Sequence, residues 1–478
     1  MRPVSAANAS PAAPPSFVGG LPSEFRDPAF RRRRMRNWII LGLLYAFFYM
    51  SRYNFTANNA YLAEQLHWSN TQLGLFGFVQ RLVYGLAVVF NGPLADRIGG
   101  KKAFLFGAGG VAIANFLFGL ALLLSHDPGT PPGTLNFGMT SGTVLASLVT
   151  IWGINGYFQS FGALSIVKVN AQWFHVRERG TFSGVFGVLI RFGLILGNYV
   201  TPVILAFLPW NWVFWIPAAL VAVFLFLTWR YVENTPADAG VGEKDTGDEP
   251  GGPSADDGKP VSVAFVLKRV FASRATWTIA GASMMIGFVR VSIVDDWFGK
   301  YFVNVHGAQA KHLGQFPPFV AAAIGTALAG IAGGFSFGIA SDRIFAGRRA
   351  PVITIGFIGM AVMLVLFGIT DRFALGPWVA AGMLITIAFF VNGAHGMVGG
   401  AASMDFGGRK AAATAAGLFD GMQYLAGALV GVGVGVLLDT WGWHAWPWAP
   451  IPFACIGAGL MATLWNVAPG GKDARKGH

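Results

Sequence analysis

Long apolar segments constrain this 478-residue chain more than any other feature of its sequence. A helix needs about 20 apolar residues to cross roughly 30 Å of hydrocarbon. Inside lipid only helices and closed barrels satisfy every backbone polar group, and barrel strands are alternating segments of about ten residues. The sequence therefore predicts an all-α integral membrane protein. Twelve spans are predicted, at 37–57, 71–94, 103–125, 145–171, 181–206, 211–231, 276–298, 317–340, 351–369, 377–399, 412–436 and 448–467.

Composition agrees with a membrane protein and excludes several classes of function. Hydrophobic residues make up 54% of the chain and charged residues only 12%, against roughly 25% charged in soluble domains. A single cysteine rules out a disulfide framework and a thiolate metal cluster. The sequence contains no GxxxxGK[ST] loop, no HExxH motif and no convincing nucleophile elbow. We therefore expect no enzymatic activity, no catalytic residue, no metal and no cofactor.

Basic residues predict the orientation of the spans. The formal charge of +12 is carried by short clusters between apolar segments, which argues against nucleic acid as a partner and for a lipid bilayer. With twelve spans these clusters share one side, and by the positive-inside rule both termini are cytoplasmic. Lys311 and Arg372 are the main exceptions. The clusters are RRRRMR (31–36), DRIGGKK (96–102), HVRERG (175–180), Lys268 with Arg269 and Arg274, DRIFAGRR (342–349), GGRK (407–410) and KDARK (472–476).

The chain divides into two six-helix halves. A segment rich in Gly, Pro, Asp and Glu separates spans six and seven, and this composition is typical of a flexible linker. No cleavable apolar core precedes the first span, so the N-terminal segment is predicted to be a cytoplasmic tail. The predicted divisions are a tail at 1–36, a first half at 37–233, a linker at 234–262, a second half at 263–468 and a C-terminal tail at 469–478.

A repeated motif relates the two halves. GPLADRIGGKK (92–102) and GIASDRIFAGRR (338–349) both contain G-x-x-x-D-R, at a separation of 342 − 96 = 246 residues. Two copies at equivalent positions are typical of the parallel repeat of a secondary transporter. We expect the motif residues to hold a gate through charge and helix-end contacts. They are Asp96, Arg97, Asp342 and Arg343.

Two arginines lie at matching depths in the halves. Arg52 and Arg290 each lie about 14 residues into their spans, roughly 21 Å along a helix at 1.5 Å per residue. Their separation, 290 − 52 = 238, nearly equals the motif repeat. Matching positions can face each other across the axis that relates the halves, and two guanidinium forks can bind an oxyanion. The alternative is that both snorkel to the interface or pair with Asp295 and Asp296.

Further polar residues lie mid-span. Arg81 and Arg191 add positive charge, and Asp420 is the clearest mid-span acid. Excess charge in hydrocarbon is tolerated where a cavity or an anion offsets it. Each of these arginines either contacts an anionic substrate or pairs with Asp420. The remaining candidate substrate contacts are Tyr53, Tyr84 and His395.

The duplicated loop and all twelve spans resemble the major facilitator superfamily. YMSRYNFTANNAYLAEQ (49–65), ENTPADAGV (233–241), SDRIFAGRRAPV (341–352) and GRKAAATAAGLFDGMQYLAG (408–427) resemble segments of its organophosphate:phosphate antiporters. The resemblance implies that Arg52 and Arg290 bind a phosphoryl group. It also implies exchange of a glycerol or sugar phosphate for inorganic phosphate, by a monomer in a bacterial inner membrane.

The sequence departs from that family around the two arginines. The glycerol-3-phosphate transporters carry a histidine where this chain has Ile190, beside Arg191, and a lysine where it has Val88. These differences leave the organic part of the substrate open. Two other functions also stay open: a proton-coupled transporter of another organic anion, with Asp420 or His395 as the protonatable group, and a transporter-like membrane sensor of a phosphate ester.

Overall fold

The computed structural model describes residues 25–127, 129–174, 179–244, 274–398 and 403–467. Every regular element in these ranges is helical, which confirms the predicted all-α class. The first half contains α1 (Pro28–Ala57), α2 (Asn59–Leu66), α3 (Asn70–Ile98), α4 (Gly100–Ser125), α5 (Ser141–Gln159), α6 (Phe161–Trp173), α7 (Arg179–Ile195), α8 (Thr201–Phe207) and α9 (Trp212–Tyr231). The second contains α10 (Arg274–Val289), α11 (Phe298–His306), α12 (Pro317–Arg343), α13 (Arg349–Arg372), α14 (Pro377–Gly396), α15 (Ser403–Trp441) and α16 (Ile451–Ala462).

Eight helices in the described ranges are long and apolar enough to cross a membrane. They correspond to predicted spans three and five to eleven. The other four predicted spans are α1, α3, the α5–α6 pair and α16. Polar side chains within α1 and α3 lower their hydropathy, and α16 is short. The fourth span breaks at Ser160, whose hydroxyl donates to the carbonyl of Tyr157 and accepts from Asn91, both at 2.7 Å.

Two complete π turns continue α-helices in the described residues, with backbone hydrogen bonds that join residues five apart instead of four. Leu196–Val200 joins α7 to α8, and Arg290–Asp295 follows α10. A π turn brings residues i and i+5 together and is frequent at functional sites. The second turn begins at one of the two predicted phosphoryl-binding arginines and ends at an aspartate.

The end of the bundle where α1 begins, here called the terminal end, is more ordered than the sequence indicates. The α1 helix starts at Pro28, inside the predicted tail, and the buried Phe30 ring stacks on Trp173 at 5.7 Å. The junction between the predicted first half and the predicted linker also packs here. The Glu233 carbonyl accepts from Asn37 at 2.9 Å, and the Asn234 side chain accepts from the backbone of Lys101 at 3.0 Å.

Residues 1–24, 245–273 and 468–478 lie outside the described residues. These ranges hold most of the predicted N-terminal tail, the rest of the predicted linker and the predicted C-terminal tail. The start of the second half, with Lys268 and Arg269, also lies in them.

At the opposite end of the bundle, here called the far end, the halves are joined through α3 and α15. Asp439 accepts four hydrogen bonds of 2.6–2.9 Å from the backbone and side chains of Asn70 and Thr71. This carboxylate of one half therefore caps the first turn of a helix in the other half, where the positive end of the helix dipole favours an anion. Nearby, a Cβ on Gly74 would lie 2.0 Å from the carbonyl oxygen of Gly431. Only glycine permits this approach.

We expect Asp439→Asn to weaken closure of the far end. Asparagine keeps one acceptor oxygen but loses the charge and half of the acceptors, a loss of about 1.5–3 kcal/mol. The ratio of closed to open far ends should fall about tenfold or more. Spin labels on the exposed residues Glu64 and Thr440, one in each half, measure this as a new population at longer distance.

Asp127→Asn is the matched control, because this far-end aspartate bonds within its own loop, to the backbone of Gly129 at 2.9 Å. Equal distance distributions in both variants and the unmodified protein would show that Asp439 does not hold the halves together.

Candidate substrate-binding cavity between the halves

A cavity of about 190 Å³ lies between the two halves. All eight residues predicted as substrate contacts line it, although they come from six different helical segments. Its wall also includes polar residues that the sequence analysis did not select as substrate contacts. The predicted residues are Arg52, Arg290, Tyr53, Tyr84, Arg81, Arg191, His395 and Asp420; the additional ones include Tyr49, Gln80, Asp295, Asp296, Asn392 and Tyr424.

Arg52, deep within α1, is held by neutral groups. Its Nε and Nη2 atoms lie 3.4 and 3.2 Å from the amide oxygen of Gln159. Its guanidinium carbon lies 5.0 Å from the ring centre of Tyr49 and 4.6 Å from that of Tyr84, both within cation–π range. Among the described residues no carboxylate forms an ion pair with Arg52. None of its five donor hydrogens therefore meets an anionic acceptor among these residues.

Arg290 faces the same cavity from the start of the second π turn. Its Nε atom lies 3.2 Å from an oxygen of Asp295, five residues on, without hydrogen-bond geometry. The π turn explains the pairing, because it places residues i and i+5 side by side. The predicted alternative of an ion pair with Asp295 is thus met for Arg290. The contact involves only the Nε edge of the guanidinium and forms no hydrogen bond, so the two Nη atoms are not paired with Asp295.

Arg81 does not pair with Asp420, which the sequence offered as its partner. Its Nη2 atom instead bonds Asp296 at 2.6 Å, and both side chains are more than 90% buried. This ion pair crosses from α3 in the first half to the segment after α10 in the second. Asn59 adds a second cross-half bond, to the backbone carbonyl of Asp296 at 3.2 Å.

Arg191 does not pair with Asp420 either. Its Nη2 atom donates to the side-chain oxygen of Asn392 at 2.9 Å, from α7 in the first half to α14 in the second. Asp420 forms no ion pair among the described residues and lines the cavity as an exposed carboxylate. It is therefore available to a ligand.

The wall of the cavity carries a surplus of positive charge. Its arginines outnumber its carboxylates by 4 − 3 = 1. Charges interact more strongly in such a partly desolvated space than in water, so an anion is the ligand that balances the site. The charged residues are Arg52, Arg81, Arg191, Arg290, Asp295, Asp296 and Asp420.

The cavity is closed toward the far end. The contact between α3 and α15 continues from Asp439 to the middle of the bundle, where the rings of Tyr84 and Tyr424 lie 4.5 Å apart. One turn beyond Tyr424, toward the terminal end, Asp420 is exposed. Because Asp420 both lines the cavity and is exposed, we infer that the cavity is reached from the terminal end.

The second copy of the repeated motif makes a helix-end contact. Asp342 accepts a hydrogen bond of 2.5 Å from Arg349, the first residue of α13, and Arg349 also donates to Ser341 at 2.9 Å. Arg97 and Arg343 are exposed. The side chain of Asp96 lies outside the described residues, as does most of HVRERG (175–178). The gating role of the motif stays a prediction.

Two repeated helical halves with an ion-lined cavity at their junction define a secondary transporter. The model of the Major Facilitator Superfamily matches residues 41–431, and the chain belongs to this family. The predicted resemblance and fold are thereby confirmed. A solved D-xylose–proton symporter has the same fold, with a TM-score of 0.67 and 15% sequence identity over 91% of this chain and 98% of that one.

Three curated relatives match along nearly their whole length. The glycerol-3-phosphate transporter of Bacillus subtilis is 28% identical over 95% of this chain and 97% of its own. The probable hexose phosphate transport protein of Chlamydia trachomatis is 26% identical over 93% and 95%. The hexose-6-phosphate:phosphate antiporter of Escherichia coli is 25% identical over 93% and 92%.

We expect Asp296→Asn to lower the thermal stability of the purified protein strongly. The substitution leaves the buried Arg81 without a counter-charge, a loss of about 3–5 kcal/mol for a buried pair. Asp342→Asn is the control, because that carboxylate is 65% exposed and exposed pairs contribute about 0–1 kcal/mol. Thermal unfolding in detergent compares the two, and equal melting temperatures would contradict a stabilising role for the ion pair between the halves.

Proposed function

We propose that the protein exchanges an organic phosphate ester for inorganic phosphate by alternating access. The observation that carries the proposal is the pair of arginines, Arg52 and Arg290, which enter one cavity from opposite halves with donors unused. A phosphoryl group offers three oxygens and takes planar guanidinium groups bidentately. The names of the three curated relatives support a phosphate ester as substrate, and one of them names phosphate as the exchanged ion.

Substrate binding is coupled to closure through charge. A phosphoryl group between Arg52 and Arg290 offsets the surplus positive charge and attracts both halves, so the terminal end closes over it. Opening of the far end then requires the α3–α15 contact and the Arg81–Asp296 pair to separate. Binding of the second anion on the other side returns the transporter to its starting conformation, so the exchange needs no ATP.

The surrounding arrangement follows from the same proposal. The protein works as a monomer in a bacterial inner membrane, with both termini and the terminal end of the cavity in the cytoplasm. The G-x-x-x-D-R turns act as a gate on that side. The bond between Asp342 and the first residue of α13 supports this, because it ties a loop of the gate to the start of a helix.

Reconstituted vesicles test the proposal. Vesicles loaded with inorganic phosphate should take up labelled phosphate, and then a panel of sugar and triose phosphates, without a pH gradient. Uptake that collapses with a protonophore would favour the proton-coupled alternative. Tight binding of an ester without flux would favour a sensor. No response to phosphate by a well-folded protein would overturn the proposed function.

We expect Arg52→Lys and Arg290→Lys each to reduce phosphate exchange by about 10- to 150-fold. Lysine keeps the charge but loses the bidentate fork, and a hydrogen bond to a charged group contributes about 1.5–3 kcal/mol, with each 1.4 kcal/mol worth tenfold. Arg372→Lys, an exposed site at the far end, is the matched control. Initial rates of homologous phosphate exchange at equal protein content give the comparison. A near-normal rate in either cavity variant would remove that arginine from the phosphate site.

A further inference from the structure

His395, on α14, is tied into the second half by a relay of buried side chains. Its Nδ1 atom lies 2.9 Å from the amide oxygen of Gln423 on α15. The amide nitrogen of Gln423 lies 3.0 Å from the hydroxyl of Ser283 on α10, and that hydroxyl lies 2.7 Å from the carbonyl of Phe419. Gln423 is 1% and Ser283 0% exposed, so water does not replace these bonds.

The direction of each bond in this relay follows from which groups can donate. A carbonyl oxygen only accepts, so the single hydroxyl hydrogen of Ser283 points at Phe419. The Ser283 oxygen then accepts from the amide nitrogen of Gln423, which turns the amide oxygen toward His395. An amide oxygen also only accepts. The proton of the imidazole ring therefore lies on Nδ1.

The fixed imidazole ring presents its second nitrogen, Nε2, to the cavity. With the proton on Nδ1, the neutral ring has a bare lone pair on Nε2. His395 lines the cavity, as do Arg191 and Arg290. Arg191 bonds Asn392, one helical turn from His395, so a protonated ring would add a further positive charge beside two guanidinium groups. The neutral ring is therefore a hydrogen-bond acceptor on the same cavity wall as two arginine donors.

We propose that Nε2 of His395 accepts a hydrogen bond from a hydroxyl group on the organic part of the substrate. Ionised phosphoryl oxygens are acceptors and match the arginines, whereas a hydroxyl hydrogen matches a bare lone pair. Gln423 and Ser283 are positioning residues that hold the ring and its proton. The inference rests on the proposed function, since the ester must enter this cavity. It makes His395 a residue that distinguishes hydroxyl-bearing phosphate monoesters from their hydroxyl-free analogues.

Two matched pairs of competitors test hydroxyl recognition. Glycerol 3-phosphate is compared with propyl phosphate, and glucose 6-phosphate with cyclohexylmethyl phosphate, as inhibitors of labelled phosphate exchange. In the unmodified protein the hydroxylated member of at least one pair should inhibit at a concentration tenfold or more below that of its hydroxyl-free analogue. Because the measured quantity is a ratio within one protein, a change in the overall exchange rate does not affect it.

His395→Leu should lower this ratio severalfold, because the acceptor of the ring is lost while the Asp420 carboxylate remains. His395→Gln places an amide oxygen near the Nε2 position and should retain part of the preference, whereas the shorter His395→Asn should not. Gln423→Leu should weaken the preference, because Nδ1 then has no acceptor and the ring proton is free to move to Nε2. Thr386→Val on α14 is the control, since that hydroxyl bonds its own helix at Gly382 and lies away from the cavity wall.

An unchanged ratio in His395→Leu would overturn the inference, as would equal behaviour of the glutamine and asparagine variants. Calorimetric titration of the same pairs into detergent-solubilised protein separates this result from failure of the proposed function. Hydroxyl-dependent binding without phosphate exchange would overturn exchange and keep the histidine contact. Exchange without hydroxyl discrimination would support the proposed function and overturn the histidine contact.

Discussion

The cost of placing guanidinium groups inside an apolar helical bundle organises the centre of this protein. An unpaired charge in such surroundings is unfavourable, and each arginine of the cavity meets this constraint differently. Arg81 is neutralised by a carboxylate of the opposite half at 2.6 Å. Arg191 bonds an amide oxygen, and Arg52 has an amide oxygen and two aromatic faces. The charges that remain least compensated are those that a ligand can balance.

The two halves repeat in sequence but not in the chemistry around their paired arginines. Arg52 lies on a continuous α-helix, and the described side chains in direct contact with its guanidinium are neutral. Arg290 opens a π turn that brings Asp295 against it. One arginine is thus held with its charge uncompensated, and the other has its charge reduced by its own helix. The two arginines therefore present unequal positive charge to the cavity.

Much of the architecture could be predicted from the sequence, because span length and charge position are properties of single segments. The apolar runs predicted the helices, and the equal depths of Arg52 and Arg290 predicted that both would reach one cavity. The pairing of Arg81 with Asp296 could not be predicted. It joins residues 215 apart in the chain and depends on how two helices rotate about their axes. The choice between Asp296 and Asp420 as partner was therefore beyond the sequence pattern.

The π turns and the hydrogen-bonded chain from Ser283 to His395 could not be predicted from the sequence for other reasons. A π turn leaves no periodic signal, since it inserts one residue into a single turn. Ser283 and Gln423 look like ordinary packing residues in apolar helices, and only the directions of their hydrogen bonds give them a role beside His395. By contrast, the glycines of α15 are visible in the sequence, but the residue that each one packs against is not.

The glycine contact between α3 and α15 also determines which interactions oppose the separation of the two halves at the far end. Where Gly74 meets Gly431, and where a Cβ on Gly435 would lie 2.5 Å from the Asn70 carbonyl oxygen, backbone touches backbone. Hydrophobic stabilisation scales with the apolar area removed from water or polar surroundings, about 25 cal/mol per Å², and glycine contributes little such area. At these positions the α3–α15 interface is a close backbone contact, and the hydrogen bonds of Asp439 hold it at the far end. Separating α3 from α15 breaks a few hydrogen bonds and exposes little apolar area to water. The energy barrier to opening the far end is therefore low, although the position of the two helices in the closed state is well defined.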